Sequence, residues 1–127
     1  MQRERILNTT IKPLCLNATI NPFTQAYALT AAHGTCEKGH LAYITDKTLY
    51  IEVNEIEACD DTTAEALLVA LHSEAVHRHI MQVRFRVNDH ALKQWAPALK
   101  AHGYQFAEGS MARWKNPSFN RDIAMGI

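Results

Sequence analysis

The stretch Leu49-Tyr-Ile-Glu-Val-Asn-Glu-Ile-Glu-Ala-Cys-Asp-Asp-Thr-Thr-Ala-Glu-Ala-Leu-Leu68 decides the fold. It reads as a strand that runs straight into the N-terminus of a helix. Leu49, Ile51 and Val53 share one face by period-two alternation, whereas Ile56 and Ala58 have the opposite parity. One extra residue near Asn54-Glu55 brings all five to the same side, which is the sequence mark of a β-bulge. A strand buried on both faces is the alternative, and it needs no bulge. The helix is signalled by Thr62-x-x-Glu65, a capping box in which each side chain satisfies a free N–H near the first turn. Ala64, Leu67, Leu68, Leu71 and Ala75 then recur on one face, and the helix is expected to end near His79.

A strand-to-helix junction is where many α/β proteins hold a phosphate, because the helix tip offers free N–H groups and a partial positive charge. Here the junction carries Asp60 and Asp61 and no glycine. The expected anion cradle is altered.

Upstream, Thr24 to Ala32 reads as a strand, His33-Gly34-Thr-Cys-Glu-Lys-Gly39 as a turn with two glycines, and His40 to Thr45 as a second strand. After a tight turn at Asp46-Lys47, residues 48–58 complete an antiparallel meander. Ile11-Lys-Pro-Leu-Cys-Leu16 suits a short edge strand, since Pro13 cannot donate to a ladder. Asn21-Pro22 marks a turn.

Downstream, Ile80 to Val87 is a strand in which Met81, Val83, Phe85 and Val87 alternate with Gln82, Arg84 and Arg86. Strand, helix and strand in succession imply a parallel pair joined by a right-handed crossover. Asn88 or Asp89 can cap a second helix over about 90–102, kinked or restarted at Pro97 and ended by Gly103. Tyr104-Gln-Phe-Ala and Ser110 to Trp114 form a closing hairpin around Glu108-Gly109, and a polar tail follows from Asn116. The expected architecture is α/β with a mixed twisted sheet, in the order β-β-β-α-β-α-β-β. It forms one domain over 1–127, with its core in 24–114 and few residues ahead of the first strand for any helix.

The composition agrees. A chain of 127 residues, 47% hydrophobic and 20% charged, can bury a core without disulfides or metal. Thirteen basic and thirteen acidic residues cancel, which gives no electrostatic case for nucleic acid or for an anionic membrane. No apolar run approaches the ~20 residues that span a bilayer, and Met1 to Leu7 holds no apolar signal core. Cys15, Cys36 and Cys59 are an odd, scattered set that fits free thiols in a reducing compartment, so a cytoplasmic protein is expected.

Several side chains could carry chemistry. His72, His77 and His79 share a helix but are spaced wrongly for one ion, and no metal is expected. Cys59 at a helix N-terminus gains thiolate character, which Asp60 and Asp61 oppose; a small buried residue at a strand end is the plainer reading. Glu52, Glu55 and Glu57 can act as a general base or simply form the wet face of their strand. Gln82, Arg84 and Arg86 can bind an anion, but pairing with those glutamates across the sheet is favoured. Trp95 and Trp114 are read as core anchors.

This order resembles the GNAT superfamily of N-acyltransferases over roughly residues 24–114. Three pieces carry the resemblance: the strand-to-helix run ending Ala64-Glu-Ala-Leu67-Leu68, the strand leading to Asn88-Asp-His-Ala91, and Ala101-His-Gly103-Tyr104, which looks like the family's Gly-Phe signature. The resemblance implies that the strand before the first helix splays from its neighbour at a bulge. Acyl-CoA, acetyl-CoA or another, would lie in the gap. Backbone at Ile56 and Ala58 would pair with pantetheine, amides of Thr62, Thr63 and Ala64 would meet the pyrophosphate, and Asn88 would orient the cofactor end. Glu55 would take the proton of an attacking amine, from a small molecule or a protein.

The chain departs from the family pattern in three ways. The loop usually reads Arg/Gln-x-x-Gly-x-Gly/Ala; here Cys59, Thr62 and Ala64 hold those positions and only Ala64 matches. The family's acid, a tyrosine four residues before the late glycine, falls on Leu99, and Tyr104 takes the core aromatic place. The N-terminus is short, so a partner subunit would have to supply the acceptor wall, or there is none; exposed edge strands suit a homodimer. The resemblance therefore implies weak or lost catalysis, with a non-catalytic binding or assembly module as the alternative.

Overall fold

The computed structural model describes residues 7–14, 24–46, 49–107 and 111–115. Seven strands and two helices follow in the order β1 (Asn8–Leu14), β2 (Thr24–His33), β3 (Cys36–Asp46), β4 (Tyr50–Ala58), α1 (Asp61–His77), β5 (Gln82–Arg86), α2 (Asp89–Ala101), β6 (Gln105–Ala107) and β7 (Met111–Lys115). They form one mixed sheet in the order β1-β2-β3-β4-β5-β7-β6. Among the described residues only β4 and β5, joined through α1, run parallel; the other neighbours are antiparallel.

The alternation in the strands and the stripe on α1 meet in one core. Leu67, Leu68, Leu71 and Ala75 of α1 and Leu92, Trp95 and Leu99 of α2 pack on Leu29, Leu41, Tyr43, Ile51, Val53, Val83, Phe85 and Trp114 of the sheet. Each tryptophan is thus a core anchor, as its size suggests. The opposite parity of β4 and β5 carries the charges: Glu52 is in register with Arg84, and its Oε1 lies 3.4 Å from Arg84 Nε and 3.6 Å from Arg86 Nε. The Arg84 guanidinium also sits 4.0 Å over the Tyr50 ring. The arginines therefore pair across the sheet, with Glu52 rather than Glu55 or Glu57.

Several expectations are corrected. The edge strand near Pro13 is a full seven-residue strand, Asn8–Leu14, and adds a fourth strand ahead of α1. The turn expected over 33–39 is much tighter: Gly34 takes φ +58°, and Gly39 lies inside β3. Gly39 is there for space, because a Cβ would fall 2.6 Å from Glu57 O and 2.8 Å from Thr63 Cγ2. Leu49 and Met81 fall outside β4 and β5 and are exposed.

The capping box at Thr62 and Glu65 does not form. α1 starts two residues earlier, and Asp60 is its N-cap. Glu65 instead meets His102 Nε2 at 2.7 Å. At the other end, Arg78 is the C-cap and His79 takes φ 59°. α2 is capped by Asn88, contains Pro97 and stops before Gly103, whose φ is +87°. The turn at Asn21-Pro22, the Glu108-Gly109 apex, Cys15 and the tail from Asn116 lie outside the described residues.

Candidate functional site

The parallel ladder between β4 and β5 is short. It runs from Tyr50↔Gln82 to Val53↔Phe85 and stops. On its other edge β4 stays paired with β3 as far as Ala58↔Gly39. The segment from Asn54 to Ala58 therefore has β3 on one side and no β5 ladder on the other. β5 itself ends at Arg86, one residue past the last bridge, and β4 is irregular at the same level: Tyr43 faces Val53 while Ala42 faces Glu55, so Asn54 is the extra residue of a β-bulge. A bulge bends its strand and increases the twist. The parity switch in the sequence thus marks the bulge.

Beyond the splay, a cleft of about 250 Å³ is lined by Ala58, Cys59, Asp60, Asp61 and Ala64 and by Gln94 and Trp95 of α2. The α1 tip forms its floor. Asp60 Oδ1 accepts the Thr63 N–H at 2.8 Å, and Asp60 O accepts the Ala64 N–H at 3.1 Å. The Thr63 backbone bond, followed by the Thr63 hydroxyl, holds the Asp60 carboxyl below its ordinary pKa. Thr63 is buried, and Thr62 is exposed. Cys59 N donates to Lys38 O at 2.9 Å, and its Sγ lies 3.6 Å from Thr63 Oγ1. Cys59 is exposed, not the small buried residue expected at the strand end. Among the described residues, the lining has two carboxylates and no cationic side chain.

Glu55 lies just past the bulge. Its Oε2 is 2.8 Å from His40 Nε2, and His40 Nδ1 is 3.2 Å from Glu37 Oε2. Burial draws the imidazole pKa down, but the bonds to Glu55 and Glu37 outweigh it and raise the value above 6.5. No local pattern places His40 beside Glu55; its position opposite the end of β4 follows from the bulged register.

Ile56 and Ala58 sit half-buried on the segment of β4 that pairs with β3 and lies past the β5 ladder. Ala58 and Ala64 meet in the cleft; Ile56, Thr62, Thr63, Asn88 and Glu55 are not among its lining residues. The Asn88 side chain accepts the Ala91 N–H at 2.8 Å and so caps α2. Leu99 is fully buried, and the Tyr104 hydroxyl is 2.7 Å from His72 Nε2 in the core. Gln94 and Trp95 line the cleft without any local sequence signal for it. They arrive from a helix some thirty residues on, and helical spacing marked Trp95 only as apolar. Among the described residues, no group of three His, Cys, Asp or Glu side chains is placed to hold a metal ion.

No sequence-family model and no curated protein matches the chain. Solved structures do match it. One is a protein from Klebsiella pneumoniae assigned as an acyl-CoA N-acyltransferase, with a TM-score of 0.58 and 16% identity over 84% of this chain and 97% of the other. Another is a GNAT family acetyltransferase from Elizabethkingia anophelis with acetyl-CoA bound, with a TM-score of 0.56 and 10% identity over 85% and 98% of the two chains. A third is a Bacillus subtilis acetyltransferase in complex with CoA, with a TM-score of 0.50 and 12% identity over 84% and 96%. With this sheet order, this bulge and these likenesses, the chain has the fold of the GNAT acetyltransferase superfamily.

Proposed function

We propose that the protein takes an acyl thioester, acyl-CoA or its acyl-pantetheine part, in the gap between β4 and β5, and that its acyl transfer is weak or lost. The observation that carries this reading is the end of the β4–β5 ladder at Val53↔Phe85, five residues before β4 itself ends. Backbone around Ile56 and Ala58 is then free to pair with the amides of a pantetheine arm. The two similar proteins that hold acetyl-CoA or CoA support the ligand class.

In the transfer itself, the amine nitrogen attacks the thioester carbonyl carbon. The C–S bond breaks, the sulfur leaves as thiolate, and the amine proton passes to Glu55, directly or through one water. His40 holds one oxygen of Glu55 and leaves the other for that proton. The thiolate then needs an acid. Leu99 stands where the family has a tyrosine, and the Tyr104 hydroxyl is already engaged by His72. The Thr62, Thr63 and Ala64 amides would meet a pyrophosphate, yet Thr63 and Ala64 already donate to Asp60. Asn88 could steady the cofactor end only by giving up its cap on α2. These three observations support weak transfer.

Thermal melting with millimolar acetyl-CoA or S-acetyl-pantetheine tests the slot, since a ligand selective for the folded form at 100 times its Kd adds ~2.7 kcal/mol. A shift with either thioester is expected. No shift with either leaves a binding or assembly module without an acyl donor, the reading that the missing hydroxyl at Leu99 already favours over fast catalysis. Release of free thiol from the same thioesters, with a panel of amines, then measures what transfer remains.

A further inference from the structure

The splay and the α1 tip make unequal demands on a donor. Pantetheine is uncharged and needs strand-like partners, which the unpaired edge of β4 supplies from Asn54 to Ala58. Ala58, Ala64 and Trp95 give it apolar walls, and Gln94 a polar one. A diphosphate needs free amides or cations at the helix tip. Of the amides of Thr62, Thr63 and Ala64, the last two are taken by Asp60, Asp60 and Asp61 face the same cleft, and among the described residues no Lys, Arg or His lines it. The cleft, about 250 Å³, is also smaller than the ~300–1,000 Å³ usual for ligand pockets, which suits a thin arm better than a nucleotide.

We infer that the slot recognises the acyl-pantetheine arm alone and gives no grip to a nucleotide diphosphate. The donor class is then an acyl thioester of pantetheine, with any nucleotide end left in solvent. This rests on the reading that the gap takes an acyl thioester, and it can fail while that reading stands.

The test is isothermal titration of the full chain with S-acetyl-pantetheine and with acetyl-CoA. The expected result is equal affinity within about threefold, or tighter binding of the pantetheine thioester. The double variant Asp60→Asn, Asp61→Asn keeps a capping side chain and removes both charges. It should tighten acetyl-CoA by about tenfold and leave S-acetyl-pantetheine unchanged. Acetyl-CoA binding at least about tenfold more tightly than S-acetyl-pantetheine to the wild-type chain overturns the inference and leaves the thioester slot intact. Binding of neither thioester overturns both. Should the double variant not fold, the wild-type comparison still decides.

Discussion

Asp60 Oδ1 accepts the backbone N–H of Thr63 at 2.8 Å, so the first turn of α1 is closed by a carboxylate of its own chain. An anionic cap is favoured there by the helix dipole as well as by the hydrogen bond. Asp60→Ala should lower the melting temperature, whereas Asp60→Asn, which keeps an acceptor, should lower it much less. The folded-state pKa of Asp60 lies below its ordinary value of 3.8. Its contribution is therefore complete above that value and is lost as pH falls through the lower, folded one. Melting curves across the acid range should show this loss in the wild-type chain and not in Asp60→Asn. Equal melting temperatures for Asp60→Ala and wild type at neutral pH would remove the cap from the account.

The bulge can be deleted without turning the strand over. Removing Asn54 leaves Ile51, Val53, Ile56 and Ala58 in unbroken alternation, so the same side chains still face the core. What changes is the bend. The shortened chain should fold with a melting temperature close to that of wild type, and thioester binding should be lost as β4 straightens towards β5. Undiminished binding of S-acetyl-pantetheine by the deletion variant would mean that the bulge does not make the slot.

Gly39 joins the sheet to the site. A Cβ there would meet Glu57 O at 2.6 Å, Thr63 Cγ2 at 2.8 Å and Ala58 Cα at 3.0 Å. Two of those contacts are backbone and cannot rotate away. Gly39→Ala should destabilise the fold by ~1–3 kcal/mol, the usual range for overpacking. Because the displaced atoms belong to the end of β4 and the first turn of α1, thioester affinity should fall with it. Gly34→Ala is strained for a different reason, its positive φ, and should cost stability without touching affinity. Chemical denaturation and titration of the two variants separate these effects.

How far the sequence discloses this molecule depends on the range of each interaction. The buried face of α1, from Ala64 to Ala75, follows from helical spacing alone, and the bulge follows from the switch of parity between Val53 and Ile56. The helix start does not. Asp60, Asp61 and Thr62 are all able to cap, and tertiary packing decides: burying Thr63 beside Gly39 draws the first turn forward and leaves Asp60 at the tip. The glycine itself reads as turn chemistry until its neighbours across the sheet are known. The same holds for His40 with Glu55, and for Gln94 and Trp95 with Ala58. Each pair is remote in sequence, and no local pattern specifies it.

A further contact between residues remote in sequence also predicts how the protein responds to acid. His72 of α1 stacks on Trp114 at 4.4 Å between ring centres, meets the His102 ring edge-on at 5.3 Å, and holds the Tyr104 hydroxyl at 2.7 Å. Glu65 engages His102 and not His72. Burial, with a smaller push from the charge on His102, takes the His72 pKa from 6.5 down to about 4. Above pH 6.5 the imidazole is neutral in both the folded and the unfolded chain, and the shift contributes nothing. Below it, the unfolded chain binds a proton that the folded chain refuses. Stability should thus fall as pH drops from 6.5 and level off below about 4, by up to ~3 kcal/mol for a shift of this size. His72→Gln keeps a partner for the Tyr104 hydroxyl and cannot titrate. It should lose ~1 kcal/mol at neutral pH from the missing ring stack, and it should flatten the slope between pH 6.5 and 4. Denaturant unfolding at several pH values measures both effects, and an unchanged slope in His72→Gln would assign the acid sensitivity to other groups.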